Sequence, residues 1–303
     1  MQNKLVITGM GVVTPIGITV ETYWNNLIAG LSGVGCISRF NAEDLAVRIA
    51  AEVKDFAPEN LIPHALERNM ALFAKYAFVA AEEALADAGL LETDHPDRIG
   101  IVMGTAMDGM STLAETQDQL AKGEIRKVGP RLVPMILGNM SAGLLAMHHG
   151  FHGPSMTLNT ACSSGGDAIM TAAMLLRSGE CDAVLCVGGE SIISPILINS
   201  LTMAKALSHR NDDPLHASRP FDKDRDGFVI GEGGGAILLE TAEHAAKRGA
   251  DSYASLAGYA NTQDGYHITA PEPHGAEASL CMHLALKKAD LKTDDIGYIN
   301  AHG

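Results

Sequence analysis

The chain reads as an α/β protein built on a parallel, helix-covered sheet, and three observations predict it. Short apolar, β-branched runs alternate with helical patterns along the sequence. Glycine supplies 32 of the 303 residues, roughly 11% against an average near 7%, which fits a backbone making many tight turns and close approaches. One α/β unit also occurs twice, first near the N-terminus and again at the end of the chain.

The elements follow in order. Residues 5–8 form an apolar strand, 20–29 a helix, and 70–88 a longer helix that closes at Gly89, a natural C-cap. After a polar loop comes the apolar strand IGIVMG at 99–104, then a long insertion over 105–152. A strand at 155–160, a helix at 163–178 and strands at 183–188 and 236–240 complete the first unit. The second unit repeats the opening: a strand at 253–258 stands where 4–9 stood, a helix covers 277–289, and the strand at 296–300 starts with the same Ile-Gly pair after an acidic loop. On this reading the chain stops inside a structural unit.

Composition excludes several classes. With 22 Lys+Arg against 36 Asp+Glu the net charge is −14, which argues against nucleic acid as a partner. A chain that is 47% hydrophobic and 19% charged can bury a large core and is too apolar for intrinsic disorder. No apolar stretch approaches the ~20 residues that span a bilayer, so no membrane segment is expected. The N-terminus runs from one lysine straight into a strand without a cleavable apolar core, which places the protein in the cytoplasm. Five scattered cysteines, an odd number, read as free thiols.

The strongest chemical signal is NTACSSGGDAI, where a strand breaks at Cys162 and a helix begins one or two residues later. Unpaired N–H groups and the positive end of the helix dipole favour negative charge on that sulfur and suit a developing oxyanion. Ser163, Ser164, Gly165 and Gly166 are small enough to admit a substrate carbonyl. Cys181 and Cys186 lie at or in an apolar strand with no second pair to build a zinc site. His302 follows a strand and so stands at the carboxyl edge of the sheet, where ligands bind. His148, His149, His209, His216 and His244 read as solvated, and His267 lies in an apolar-flanked loop.

Two motif matches fail. Asp222, Asp224, Asp226 and Gly227 occupy positions 1, 3, 5 and 6 of a calcium loop, but Gly233 holds the twelfth and Glu232 comes one residue early. That segment is expected to be a charged loop entering a glycine-rich hairpin, with Arg219 and Arg225 pairing the aspartates. GMGVVTPIG has Thr14 where the third glycine of a dinucleotide loop belongs. Neither a metal nor a cofactor is expected.

Together KLVITGMGVVTPIG, NTACSSGGDAI, ALSHRNDDPLHASRPFDKDRDGFVIGEGGGAILLE and INAHG resemble the β-ketoacyl-[acyl-carrier-protein] synthases, most closely the elongating type II fatty-acid enzymes. The resemblance implies a thiolase fold of duplicated α/β halves in five layers, acting as a homodimer. It places the halves at 1–250, carrying the nucleophile, and 251–303, incomplete. It implies decarboxylative Claisen condensation, with Cys162 accepting the acyl group and His302 stabilising the enolate of the malonyl thioester. The partner is an acyl carrier protein, docked on positions matching Arg68, Arg126, Lys127 and Lys205, while Ala65 and Asn69 stand where further basic residues are usual. Met107 matches a residue at the acyl-pocket floor.

The family's second catalytic histidine, a structural lysine and a gating phenylalanine would follow Gly303. A protein ending there is expected to be poorly soluble and inactive in condensation. Other readings are a polyketide ketosynthase, a non-catalytic chain-length partner, which would lack the cysteine, and a thiolase using coenzyme A thioesters, which fits RPFDKDRDGFV less well.

Overall fold

The described residues of the computed structural model are 4–302; the ends of the two expected halves, 1–3 and 303, lie outside them. The strands are β1 (Leu5–Val13), β2 (Gly35–Cys36), β3 (Ile49–Ala50), β4 (Ile99–Gly104), β5 (Ser155–Leu158), β6 (Ala183–Ser191), β7 (Glu232–Thr241) and β8 (Ala254–Leu256). The α-helices are α1 (Val20–Ile28), α2 (His64–Glu67), α3 (Leu72–Asp87), α4 (Met110–Ala121), α5 (Leu132–Ile136), α6 (Asn139–His149), α7 (Ser164–Ser178), α8 (Pro195–Met203), α9 (Ala242–Lys247) and α10 (Ala276–Ala289). No helix among the described residues is long and apolar enough to cross a membrane.

Six strands form one sheet in the order β5-β4-β6-β7-β1-β8. β4 is parallel to β5 and β6, but β7 is antiparallel to β6 and β1, and β8 is antiparallel to β1. The expected parallel sheet is therefore mixed. A parallel neighbour needs a crossover that covers a face, which α7 provides between β5 and β6. The chain between β6 and β7 instead leaves the sheet to build a side lobe around Val47, Ile49, Ile198 and Ile230, then returns along β6 in the opposite direction.

Both faces of the sheet are covered. α3 and α6 pack on one side and α7 on the other, so along β4 Ile99, Ile101 and Met103 enter the α3 core while Val102 enters the α7 core. This is why the strand is apolar at every position. α3 is alanine-rich, which suits a helix and lets it lie close to the sheet, and it buries Phe73, Tyr76, Phe78 and Leu85 at roughly 1.5–3 kcal/mol each. It ends at Gly89, which takes φ +64.

The internal repeat survives in atomic detail. A Cβ on Gly9 would lie 2.1 Å from the Ala84 carbonyl oxygen and 2.8 Å from the Ala88 Cβ; on Gly258 it would lie 2.2 Å from the Ala285 oxygen and 3.0 Å from the Ala289 Cβ. In each unit a glycine in or just after the strand lets an alanine-lined helix touch the backbone. The helix ends match too, with Leu90 N–H donating to the Leu85 carbonyl and Leu291 N–H to the Leu286 carbonyl. The repeat stops matching at 296–300, the expected strand. There the chain is irregular, with Tyr298 and Ile299 exposed, because no strand among the described residues offers it a ladder.

Three smaller expectations are corrected. The glycine run of 233–235 lies in the first half of β7 rather than in a hairpin turn. Arg219 and Arg225 donate to the carbonyls of His216 and Asp222 instead of pairing aspartates, since the tight turns bring backbone oxygens nearer; Asp226 is held by Ser208 Oγ and the His209 N–H. Of the histidines read as solvated, His209 and His216 are exposed, but His149 and His244 are not: the carboxylates of Glu82 on α3 and Glu240 on β7 draw them in.

β7 carries a buried carboxylate at each end. Glu232 accepts from Arg39 Nη1 (2.7 Å), Tyr76 Oη (3.0 Å) and Ser191 Oγ (2.9 Å), joining α3, β6 and the side lobe. Glu240 accepts from Thr8 Oγ1, His244 Nδ1 (2.5 Å) and Arg248 Nε (2.9 Å), and Arg248 also caps α3 through the Ala88 carbonyl. Burial alone would raise the Glu240 pKa, but the His244, Arg248 and Thr8 hydrogen bonds outweigh it and hold the carboxyl at about 2, against 4.5 when free. A depressed carboxylate stabilises the fold in full above pH 4.5 and loses that contribution as the pH falls through 2. The size is on the order of 3 kcal/mol. Urea melts between pH 6 and pH 2.5 should show this loss, and Glu240→Gln should be less stable at pH 6 with a shallower acid limb.

Candidate active site

β5 ends at Leu158, α7 begins at Ser164, and a single 3₁₀ turn over Ala161–Ser163 connects them. Cys162 is the middle residue of that turn and is exposed. The backbone doubles back one residue earlier, at Ala161, whose φ of +52 is in the left-handed region that penalises a Cβ. The strain thus falls on the residue before the cysteine. Short side chains hold it there. Ser164 Oγ accepts from the Thr160 N–H at 2.9 Å and donates to the Ala161 carbonyl at 2.7 Å.

Asp167, buried in the first turn of α7, accepts from Thr160 Oγ1 (2.6 Å), Ser163 Oγ (2.8 Å) and Asn261 Nδ2 (2.6 Å). Burial pushes its pKa up, but these hydrogen bonds outweigh that and keep the carboxyl below the ordinary range. Asn261 lies in the second unit, beyond β8, so one carboxylate fastens the Cys162 turn to both units. Gly104, ending β4, supports the turn from below: a Cβ there would stand 2.4 Å from the Ser164 carbonyl oxygen.

The arrangement presents an exposed thiol at the start of a 15-residue helix, beside exposed Gly165 and Gly166. The first-turn N–H groups of a helix lack helical partners, which makes this a setting for a nucleophilic sulfur and for an oxyanion. The other cysteines have no such setting. All five are free, as expected, and burial pushes the thiol of Cys181 up to about 11 and that of Cys186 higher still.

The remaining candidates are dispersed. His302 is exposed in the irregular segment after 296–300, and no hydrogen bond among the described residues joins it to Cys162. Met107 is half-buried just beyond β4, its N–H donating to Glu190 Oε2 at 3.0 Å. Arg68, Arg126, Lys127 and Lys205 are all exposed; Lys127 pairs with Glu124 at 2.8 Å. Lys205 opens on a cavity of about 550 Å³ shared with Arg219, Lys223 and Arg225. Sequence reasoning missed Asp167 and Asn261. An acidic residue in a helix's first turn was the available signal for Asp167, whereas nothing local marks Asn261, 94 positions away.

A cysteine between a strand and a helix, beside a sheet covered on both faces, is an arrangement suited to a condensing acyltransferase, and the fold it sits in is shared with the thiolase-fold ketosynthases. The sequence matches the Beta-ketoacyl synthase N-terminal domain over residues 2–245 and the Beta-ketoacyl synthase C-terminal domain over 253–303. It is 43% identical over 303 residues to the 3-oxoacyl-[acyl-carrier-protein] synthase 2 of Synechocystis sp., covering all of this chain and 73% of that protein. The synthase 2 of Vibrio cholerae is 40% identical with the same coverage. Among solved structures, a β-ketoacyl synthase from Burkholderia phymatum superposes with a TM-score of 0.90 at 32% identity, covering 100% of this chain and 74% of that one. A type II polyketide ketosynthase in complex with its acyl-carrier protein and bound to the hexaketide superposes at 0.89 with 31% identity, covering 100% and 74%. The chain belongs to the β-ketoacyl synthase family.

Gly104→Ala should push the start of α7 off its seat, slowing alkylation of Cys162 by iodoacetamide several-fold and costing roughly 1–3 kcal/mol of stability. Peptide mapping of the labelled cysteine and a denaturant melt measure the two effects.

Proposed function

We propose that this protein catalyses the decarboxylative Claisen condensation of an acyl-enzyme thioester with malonyl-acyl carrier protein in fatty-acid elongation. The observation that carries this reading is the exposed Cys162 at the N-terminus of α7, on a turn braced by Asp167. The sulfur attacks the acyl thioester and the phosphopantetheine thiol leaves, while the Cys162 backbone N–H holds the oxyanion. Malonyl thioester then loses carbon dioxide, its enolate carbon attacks the acyl-Cys162 carbonyl, and the Cys162 thiolate departs. His302 acts in the second step as the donor to the malonyl thioester oxygen, stabilising the enolate.

The acidic carrier docks on Arg68, Arg126, Lys127 and Lys205 against an unfavourable net field, and the cationic cavity beside Lys205 supports that placement. Met107 bounds the acyl pocket. The two units, 1–250 and 251–303, are those of the family, the cytoplasm is the compartment, and the assembly is a homodimer. The exposed edge strand β5, with Met156 42% exposed, supports the dimer. Fatty-acid elongation is preferred to polyketide synthesis because a relative named 3-oxoacyl-[acyl-carrier-protein] synthase 2 shares 43% identity, against 31% for the polyketide ketosynthase.

The test separates the half-reactions, with acyl-carrier and malonyl-carrier thioesters as substrates. Cys162→Ala should abolish both acyl transfer and condensation. His302→Ala should keep acyl transfer and lower condensation at least ~10²-fold. Arg126→Glu and Lys205→Glu should weaken carrier-dependent turnover much more than turnover of short carrier-free thioesters, and more so at low salt. Equal losses with both substrates would contradict the docking patch, and condensation undiminished in Cys162→Ala would contradict the reaction.

A further inference from the structure

At the end of the sheet opposite Cys162, α3 and α6 bring together three side chains that the condensation does not use. Glu82 stands in the last two turns of α3, and His148 and His149 are the last two residues of α6. Glu82 Oε1 lies 2.6 Å from His149 Nε2, and its other oxygen lies 3.9 Å from His148 Nε2. The three ligand atoms fall within 4.8 Å of one another. The His149 side chain is only 6% exposed, while those of Glu82 and His148 are 27% and 33% exposed.

The orientation of His149 is fixed from behind. Its Nδ1 is 3.3 Å from the Leu91 carbonyl oxygen, which can only accept, so Nδ1 carries a proton and Nε2 is the nitrogen turned to the cluster. A backbone carbonyl on the far ring nitrogen is the outer-shell contact that orients metal-binding histidines. Each ring also has an aromatic neighbour: His149 stacks on Phe151 with centroids 5.1 Å apart, and His148 packs on Phe78 at 5.5 Å. A simple ion pair accounts for His149 facing one oxygen of Glu82. It does not account for a second imidazole turned to the other oxygen.

We propose that Glu82, His148 and His149 bind one divalent ion of the zinc class, fastening the end of α6 to α3. Two imidazoles and a carboxylate are a borderline ligand set, suited to zinc and its transition-metal neighbours rather than to calcium or magnesium. Ligands about 2.0–2.2 Å from a tetrahedral zinc stand roughly 3.3 Å apart. The observed 2.6 and 3.9 Å bracket that separation, and the partly exposed Glu82 and His148 have room to rotate and close it. Three protein ligands leave the fourth position to water. No metal was expected from sequence because the glutamate and the histidine pair stand 66 and 67 positions apart.

The site lies where β4 and β5 begin, since Gly153 N–H, just after α6, donates to the Ile99 carbonyl. Cys162 lies past the other end of β5. The ion therefore acts on stability, independently of the reaction proposed above. The test is calorimetric titration of the full chain carrying Cys36→Ala and Cys162→Ala with zinc chloride, so that the two exposed thiols do not compete. One zinc per chain should bind at micromolar concentration or tighter, and the Tm should rise by a few degrees. Glu82→Gln should weaken binding at least about 10-fold. So should His148→Ala, which sits at a partly exposed position and keeps the metal-free Tm. Cobalt should give a visible d–d band in the parent chain and not in His148→Ala. No stoichiometric zinc binding, or binding unchanged in both variants, would overturn the proposal.

Discussion

The carboxylate of Asp167 is the constraint on which the candidate site depends. A strand that must become a helix within a few residues leaves Ala161 in a left-handed conformation, and such strain persists only where neighbouring contacts over-determine it. Asp167 supplies three of those contacts from one buried group, two to the turn and one to Asn261 of the second unit. The hydrogen bonds outweigh the cost of burial, so the carboxylate stays charged and rigid. The result is a cysteine held in the open at a helix N-terminus, where ordinary buried thiols such as Cys186 are inert.

The surrounding fold delivers that turn to its place. Covering both sheet faces lets β4, β5 and β6 run parallel, and the short contact between Gly104 and the start of α7 sets the height of the turn above the sheet. β7 then locks the remaining half of the sheet from the antiparallel side, with Glu232 and Glu240 tying its two ends to α3, β1 and the side lobe. Polar ties of this kind specify a register that apolar packing alone leaves loose.

Much of this was legible in the sequence. Strand 99–104 and helix 163–178 are found within a residue of their predicted bounds, because continuous apolar strands and glycine-capped helices are local signals. The repeat was legible too, and the matching contacts of Gly9 and Gly258 give it a physical reason. Strand direction was not. Whether β7 runs with or against β6 depends on the path of the long excursion between them, which has no periodic signature. Of the site, Cys162 was marked by its neighbours, but Asn261 and the grouping of Glu82 with His148 and His149 exist only once distant segments are folded together. The strand expected at 296–300 shows the same limit from the other side, since a strand is defined by its partner.

The measurement that tests the account most directly is peptide mapping by mass spectrometry after brief incubation with an acyl-carrier thioester and no malonyl donor. The account predicts one acyl group per chain, in thioester linkage and confined to the peptide containing Cys162. Acylation of Cys36 or Cys281 instead, or no covalent acyl group on a folded protein, would contradict it.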